Sequence, residues 1–595
     1  MSINEERVTY FGETDARNKK VKFGIKAKDR TKHVYVIGKT GMGKSTLLEN
    51  MAVQDIQNGE GMAFIDPHGK TAELLLEYVP EHRMKDIVYF APFDMEYPIS
   101  FNVLESVDPD KRHLVVSGLM STFKKIWKDA WSARMEYILT NTLLALLECP
   151  DATLLGVNRM LSDKEYRKYV ISYVTDASVK AFWVQEFANY TERMAAEAVP
   201  AIQNKIGQFT ANALIRNMIG QPKSSFDIRK MMDSGKIFII NLSKGRIGES
   251  NANLLGGMII TKIYLAALSR ADVPDRVLKT LPNFYLFVDE FQSFANESFA
   301  DILSEARKYK LNLTIAHQYI EQMEEEVRDA VFGNVGTMIV FRVGAFDAEV
   351  LEKEFSPQFT APDIVNLGIF QIYLKLMIDG ISSQPFSATT LPPIAKPESS
   401  SMTNVIAESR RQFANNRAEV EKKIDEWLAP MKAPVKDKVP APQNPTSPPR
   451  PMTPIPRPVV APIPPSPTPI VPPVVQQFQT QQPQMQPQTP RQNTQNTPPT
   501  PPIPLVPKMK SVPLSTLAQQ PKQNNNNNQK DAIPQRVNEL KNALANALSH
   551  GTVKQPQVMP SNTPVHVATT INEKNNKEST KEIPEDVLRN VLKVD

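Results

Sequence analysis

Two clusters of residues in this sequence could do chemistry. The first is Gly38-Lys39-Thr40-Gly41-Met42-Gly43-Lys44-Ser45, followed by Thr46. It fits G-x-x-x-x-G-K-[ST] in full, after an apolar run (HVYVI) and before a helical pattern (TLLENMAVQDIQ). Its glycines would let backbone N–H groups wrap a β-phosphate, with the dipole of the following helix adding to the attraction. Lys44 would reach the β- and γ-oxygens, and Ser45 would ligate Mg²⁺. The second cluster is Asp289-Glu290, at the end of the apolar run Tyr285–Val288. Adjacent acids at the end of a buried strand are costly without a cation nearby. Asp289 would hold Mg²⁺ through a bound water, and Glu290 would take the proton of an attacking water. Together the clusters predict ATP and Mg²⁺ as ligands and ATP hydrolysis as the reaction. A GTPase is a weak alternative, because no Asn-Lys-x-Asp-like segment for reading the base stands at a strand end.

Four further sites are less decisive. Asp66-Pro67-His68-Gly69 follows an apolar run and either shapes the nucleotide site or is a plain turn. Gln318 follows the run Asn312–Ala316, where an amide could sense a γ-phosphate. Arg307, on a helix before that run, could neutralise transition-state charge in a neighbouring subunit, or pair with Glu305 on the surface. Arg342, inside Met338–Val343, is a second arginine candidate, with a buried, paired strand arginine as its other reading.

The elements that must position these groups are legible as a pattern. Short apolar runs at His33–Ile37, Met62–Ile65, Ile87–Phe90, Ile237–Asn241, Phe284–Val288, Asn312–Ala316, Met338–Val343 and Phe370–Leu376 alternate with helical stretches. This predicts an α/β fold with a mostly parallel central sheet covered on both faces. Lys20–Lys26 alternates as a half-buried strand does. Between Asp108 and Asp233 helical periodicity replaces the strands, as expected of an all-α insertion. A charged helix is predicted over Asn404–Leu428.

Composition bounds the rest. Of 50 prolines among 595 residues, 30 lie between Pro430 and Pro534. That Pro/Gln/Asn-rich segment cannot bury enough apolar surface to offset its ordering entropy, so a disordered tail is expected. Residues 430–595 carry a net charge of +9 and residues 1–429 a net −4, which suits acidic partners for the tail or simply keeps it soluble. The single cysteine, Cys149, excludes an intramolecular disulfide and a cysteine-built metal site. No transmembrane segment is predicted: the most apolar run, Leu254–Leu268, is too short and contains Lys262. A cytoplasmic location follows, with membrane association through partners left open.

These motifs resemble the RecA-like motor domain of the FtsK/HerA superfamily, in particular the conjugative coupling proteins of type IV secretion, the TraG/TraD group. The segments that carry the resemblance are FGIKAKDRTKHVYVIGKTGMGKST, DPHG, FYLFVDEFQSF, SEARKYKLNLTIAHQ and FGNVGTMIVFRVGAFDAE, spread over residues 23–391. The resemblance implies a RecA-like P-loop NTPase that moves DNA as a homo-hexameric ring. It puts Lys44, Ser45, Asp289 and Glu290 in the nucleotide site, Gln318 on the third motif and Arg307 in trans as an arginine finger. It also implies N-terminal membrane helices, which no stretch of this sequence supplies. The expected organisation is a motor domain in two parts, 1–107 and 234–395, an all-α insertion, 108–233, a helical extension, 396–429, a disordered linker, 430–534, and a tail with short helices, 535–595. The tail would meet secretion-system or DNA-processing proteins. Candidates for gripping DNA are Lys244 and Arg246, and the cluster Lys124, Lys125, Lys128, Trp127 and Trp131, whose other reading is a solvated helix face. Two alternatives stay open: a HerA/FtsK-like DNA translocase in repair or segregation, and an ATP-gated adaptor recruiting partners through its proline-rich tail.

Overall fold

The computed structural model describes residues 4–15, 19–105 and 107–429. The expected disordered linker and tail therefore lie outside the described residues. Among the described residues thirteen strands form: β1 (Val8–Thr14), β2 (Lys22–Lys26), β3 (Val34–Ile37), β4 (Gly61–Asp66), β5 (Ile87–Phe90), β6 (Ile237–Asn241), β7 (Phe284–Val288), β8 (Leu311–His317), β9 (Thr337–Val340), β10 (Gln371–Lys375), β11 (Met377–Ile378), β12 (Ile381–Ser382) and β13 (Phe386–Thr390). Eleven of them make one sheet in the order β2-β1-β13-β10-β9-β3-β8-β7-β4-β6-β5, and β11 and β12 form a separate hairpin. From β9 to β5 every neighbouring pair is parallel. From β9 to β2 every pair is antiparallel.

The parallel strands are short, apolar and buried along their whole length, as strands covered on both faces must be. Alternate side chains serve opposite layers. Val34 and Val36 join the core under helix α1 (Lys44–Gln57), whereas Tyr35 and Ile37 join the larger core shared with the helical segments. Between β5 and β6 all described regular elements are helical, beginning with a 3₁₀ turn (Pro109–Lys111) that runs into α2 (Arg112–Ile126). α2 packs on α3 (Glu249–Leu268), which follows β6, and both helices share the larger core with one face of the sheet. The approach of α2 and α3 is close. A Cβ on Gly118 would meet the Thr261 side chain at 2.5 Å, and one on Gly257 would meet Thr122 at 2.6 Å.

Several expectations need correction. β10 runs antiparallel, and β1 and β13 were not anticipated. The run at Met338 stops as a strand at Val340, so Arg342 lies beyond it, half-buried. The predicted helix over Asn404–Leu428 is two helices, α4 (Met402–Phe413) and α5 (Arg417–Leu428). Ala414 bridges to Ile99 there, and the Asn416 side chain caps α5 by accepting from the amides of Ala418 and Glu419. α4 covers the sheet edge, where Ser409 Oγ accepts from the amide of Tyr89 at 2.9 Å. The apolar run at Leu254 belongs to a 24-residue helical stretch, Glu249–Asp272, of mean hydropathy 1.4, so its length alone does not exclude a span. Its apolar window is 61% buried within this fold, as befits a core helix.

Candidate functional site

Strand order builds the site. β3 ends at the phosphate loop, β7 ends at Asp289-Glu290, and β8 lies between them and ends at Gln318. Parallel register puts Ile37 opposite His317, and Ile315 opposite Val288. The three strand ends therefore open on one edge of the sheet, about 10 Å across at 4.8 Å per strand. This is where ligands gather in open parallel sheets.

The loop is held from both neighbours. The amide of Gly38 donates to His317 O at 3.2 Å, and that of Lys39 donates to Arg342 O at 2.8 Å. Gly38 lies so close to Phe341 that a Cβ would meet its Cβ at 2.5 Å. Gly43, with φ 120°, sits in a backbone region that L side chains rarely adopt, against the ring of Phe370. It caps α1 without a side chain, so the first-turn amides of α1 have no acceptor within the helix and no cap. That cradle fits a phosphate. Ser45 is exposed at its rim, and Thr46 is half-buried behind it. The Lys44 amine folds back onto the carbonyls of Gly38, at 2.5 Å, and Lys39, at 3.2 Å. Burial lowers its pKa, with Glu290 and Asp289 opposing the shift.

A line of hydrogen bonds crosses the site. Thr40 Oγ1 donates to Gln318 Oε1 at 2.9 Å, and the Gln318 amide donates to Glu290 Oε1. The Gln292 amide donates to Glu290 Oε2. Glu290 itself is buried and held at φ 48°, a left-handed conformation that costs about 1–2 kcal/mol in a non-glycine residue. The strain turns its carboxylate toward β8 and is met by both amides. Asp289 Oδ1 accepts from the Glu290 amide at 2.9 Å. Burial, then Glu290 and Asp66, push the Asp289 carboxyl up to about 7. Among the described residues no three such side chains converge as a metal cage, but Ser45 and Asp289 are hard oxygen donors of the kind Mg²⁺ takes when phosphates supply the rest.

The DPHG segment is both a turn and a wall of the site. Asp66 accepts from the amides of His68, at 2.7 Å, and Ala72, at 2.9 Å. His68 Nε2 then lies 3.9 Å from Glu290 Oε1. Arg307 is not brought to this site. It is exposed in a 3₁₀ turn, not on an α-helix, just before the opposite end of β8, about 20 Å from Gln318 at 3.3 Å per residue. Its expected alternative partner, Glu305, pairs with Lys308 instead. Lys244 lies 3.9 Å from Glu249, and Arg246 is 3.8 Å from Glu73 and stacks on Phe93.

The Lys124–Trp131 cluster is not one solvated face. Trp127 is buried and stacked on Phe123, and Lys124 pairs with Glu297 at 2.9 Å. Lys125 turns inward onto the carbonyls of Gln292 and Ala295. Lys124 and Lys128 stay exposed, whereas Trp131 is half-buried against the core. Gln292 was missed by sequence reasoning. Its only signal is its place two residues after Glu290.

A phosphate loop, an acid pair two strands away and an amide on the strand between them define a RecA-like P-loop nucleotide-binding core. Residues 20–355 match the family model described as the type IV secretion-system coupling protein DNA-binding domain, and the chain belongs to that family. Solved structures of low identity resemble it along most of their length. Bacterial conjugative coupling protein TrwBdeltaN70, in an unbound monoclinic form, is 15% identical, with 66% of this chain and 94% of that one covered and a TM-score of 0.47. Plasmid coupling protein TrwB in complex with ADP and Mg²⁺ is 15% identical, with 67% and 98% covered and a TM-score of 0.48. VirB4 of Thermoanaerobacter pseudethanolicus is 14% identical, with 65% and 96% covered and a TM-score of 0.43. No curated protein matches the chain.

Proposed function

We propose that this chain is an ATP-hydrolysing motor that acts on DNA as a type IV secretion coupling protein. One observation carries the reading: Thr40, Gln318 and Glu290 form a continuous line of hydrogen bonds from the phosphate loop to the acid pair. Such a line lets the state of the loop be felt by the group that activates water. In this reading the amides around Gly41, Gly43 and Lys44 hold the phosphates of ATP, and the Lys44 amine leaves the Gly38 and Lys39 carbonyls to meet them. Ser45, and Asp289 through water, would hold Mg²⁺, which would supply positive charge against the terminal phosphates. Glu290 accepts the proton of the attacking water, while Gln318 divides its amide between Glu290 and the terminal phosphate. Arg307 lies too far away to serve its own site, so it is assigned to a neighbouring copy's, which requires a ring. The partition into a motor domain (1–107 and 234–395), an all-α insertion (108–233) and a helical extension (396–429) belongs to the same proposal. So do the homo-hexamer, a cytoplasmic location and contact with DNA through its backbone, which would be salt-sensitive and indifferent to sequence.

The test is ATP turnover by the full chain with and without DNA. DNA should stimulate it, and Lys44→Ala should abolish it. Turnover that persists in Lys44→Ala, or never responds to single- or double-stranded DNA, would sink the motor reading.

A further inference from the structure

We propose that Lys125 is a positioning residue for Glu290, and that it makes the placement of that carboxylate depend on the helical segment between β5 and β6. The inference rests on the reading of Glu290 as the water-activating group.

The turn that follows Glu290 is fastened to one side of α2. Lys125 Nζ donates to Gln292 O at 2.6 Å and to Ala295 O. Asn296 Nδ2 donates to Thr122 Oγ1 at 3.2 Å, Ser298 Oγ to Ser121 Oγ at 3.0 Å, and Lys124 pairs with Glu297. Four residues of one helix therefore hold one short turn. Of these, Lys125 grips the backbone of the residue whose side chain donates to Glu290 Oε2. Displacing Gln292 O displaces its amide, and with it one of the two donors that keep Glu290 in its left-handed conformation.

Stability alone does not call for a lysine here. The side chain is half-buried, no described carboxylate is paired with its amine, and burial pushes it down to about 8 against the opposing charge of Glu324. A methionine of similar length would fill the space without desolvating a charge. What a methionine lacks is the ability to bind two carbonyls at once and so fix the turn. The other end of the linkage is firm as well. The tight approach of Gly118 to Thr261, and of Gly257 to Thr122, leaves α2 no room to settle independently of α3. A movement of α2 is thus delivered to Gln292 through Lys125.

The experiment compares full-length Lys125→Met, Gln292→Leu and the double variant with the wild type, for ATP turnover, affinity for a fluorescent ATP analogue and amide exchange over residues 290–298. Each single variant is expected to lower kcat about tenfold, on the scale at which small misplacements act, with affinity for the analogue retained. The double variant should be no slower than the slower single one, because both changes cut the same linkage. Exchange over residues 290–298 should quicken in Lys125→Met. Folded Lys125→Met with unchanged kcat, losses that multiply in the double variant, or affinity that falls in step with kcat would each overturn the proposal. Where Lys125→Met does not fold, Gln292→Leu decides alone, since it leaves α2 untouched: unchanged kcat overturns the proposal. A wild type that never cleaves ATP overturns this proposal together with the motor reading. A wild type that cleaves it, beside a Lys125→Met that cleaves it equally well, overturns only this one.

Discussion

The sheet has two unlike halves. From β5 to β9 its strands are parallel, buried and apolar, and their carboxyl ends carry the loop, Asp289-Glu290 and Gln318. From β10 to β2 the strands are antiparallel, more exposed at their ends, and carry none of these groups. The antiparallel half acts as a brace. Phe370, before β10, lies against Gly43, and its amide donates to Met42 O at 3.1 Å. Arg30, between β2 and β3, donates to Thr9 on β1 and makes a two-pronged pair with Asp55 on α1, at 2.7 and 2.8 Å, under the ring of Tyr285. Parallel strands bring polar groups together at one end, whereas antiparallel strands hold the phosphate-loop helix in place from the side.

If this division is right, damage to the two halves should separate. The largest effect is expected from Glu290→Gln, which removes the proton acceptor and turns one of its two acceptor oxygens into an amide NH₂, so that only one of the Gln318 and Gln292 donors keeps its partner. Turnover should fall by about 10²–10⁴-fold with nucleotide binding retained, as measured by single-turnover kinetics beside a binding titration. Asp55→Ala strikes the brace and leaves Arg30 buried without its anion. Urea unfolding should show a loss of about 3–5 kcal/mol, whereas turnover per folded molecule should stay near that of the wild type. Equal loss of turnover would erase the contrast between the halves.

A third effect is pH-dependent. His33 Nδ1 accepts from the Leu313 amide at 3.0 Å, and Nε2 lies 3.2 Å from Leu303 O, so the buried ring is neutral. Burial lowers its pKa to about 4, below the ordinary value, so the unfolded chain takes up the proton first. The stability it contributes is whole above pH 6.5 and drains away as pH falls toward 4, by up to about 3 kcal/mol. His33→Gln should flatten that acid limb in a series of melts. The smallest effect belongs to the exposed pairs of Lys28 with Glu6 and Asp379. Lys28→Ala should leave the melting temperature unchanged within error, because such pairs are screened.

The two halves also differed in how far the sequence disclosed them. Every strand of the parallel half could be read from its apolar run, because burial on both faces leaves no room for alternation. The phosphate loop and the acid pair were legible because their residue types sit at fixed spacing within short segments. β1 and β13 were missed: they are edge-side strands whose partners lie more than 370 residues apart in the chain, as Gly12 and Thr390 do. The break at Ala414–Asn416 was missed because the helical pattern runs on across it, and a contact with Ile99 decides the matter. Gln318 was found by position, but its bond to Glu290 depends on β8 lying between β3 and β7, which no local pattern states. Lys125 was read as one of a cluster that either meets DNA or is a solvated helix face, since composition cannot reveal which lysine turns inward.

The helical segment leaves the sheet at Phe90 and comes back at Ile237, and these two strands are neighbours, with Ile87 facing Ile237. To the rest of the sheet the excursion is an ordinary crossover that happens to be very long. Since the entropy of closing a loop rises only with the logarithm of its length, such an excursion can lengthen, shorten or exchange its helices over generations without moving a single strand out of register. On the proposal above, the residues of α2 that grip the turn after β7 are what tie its shape to the chemistry.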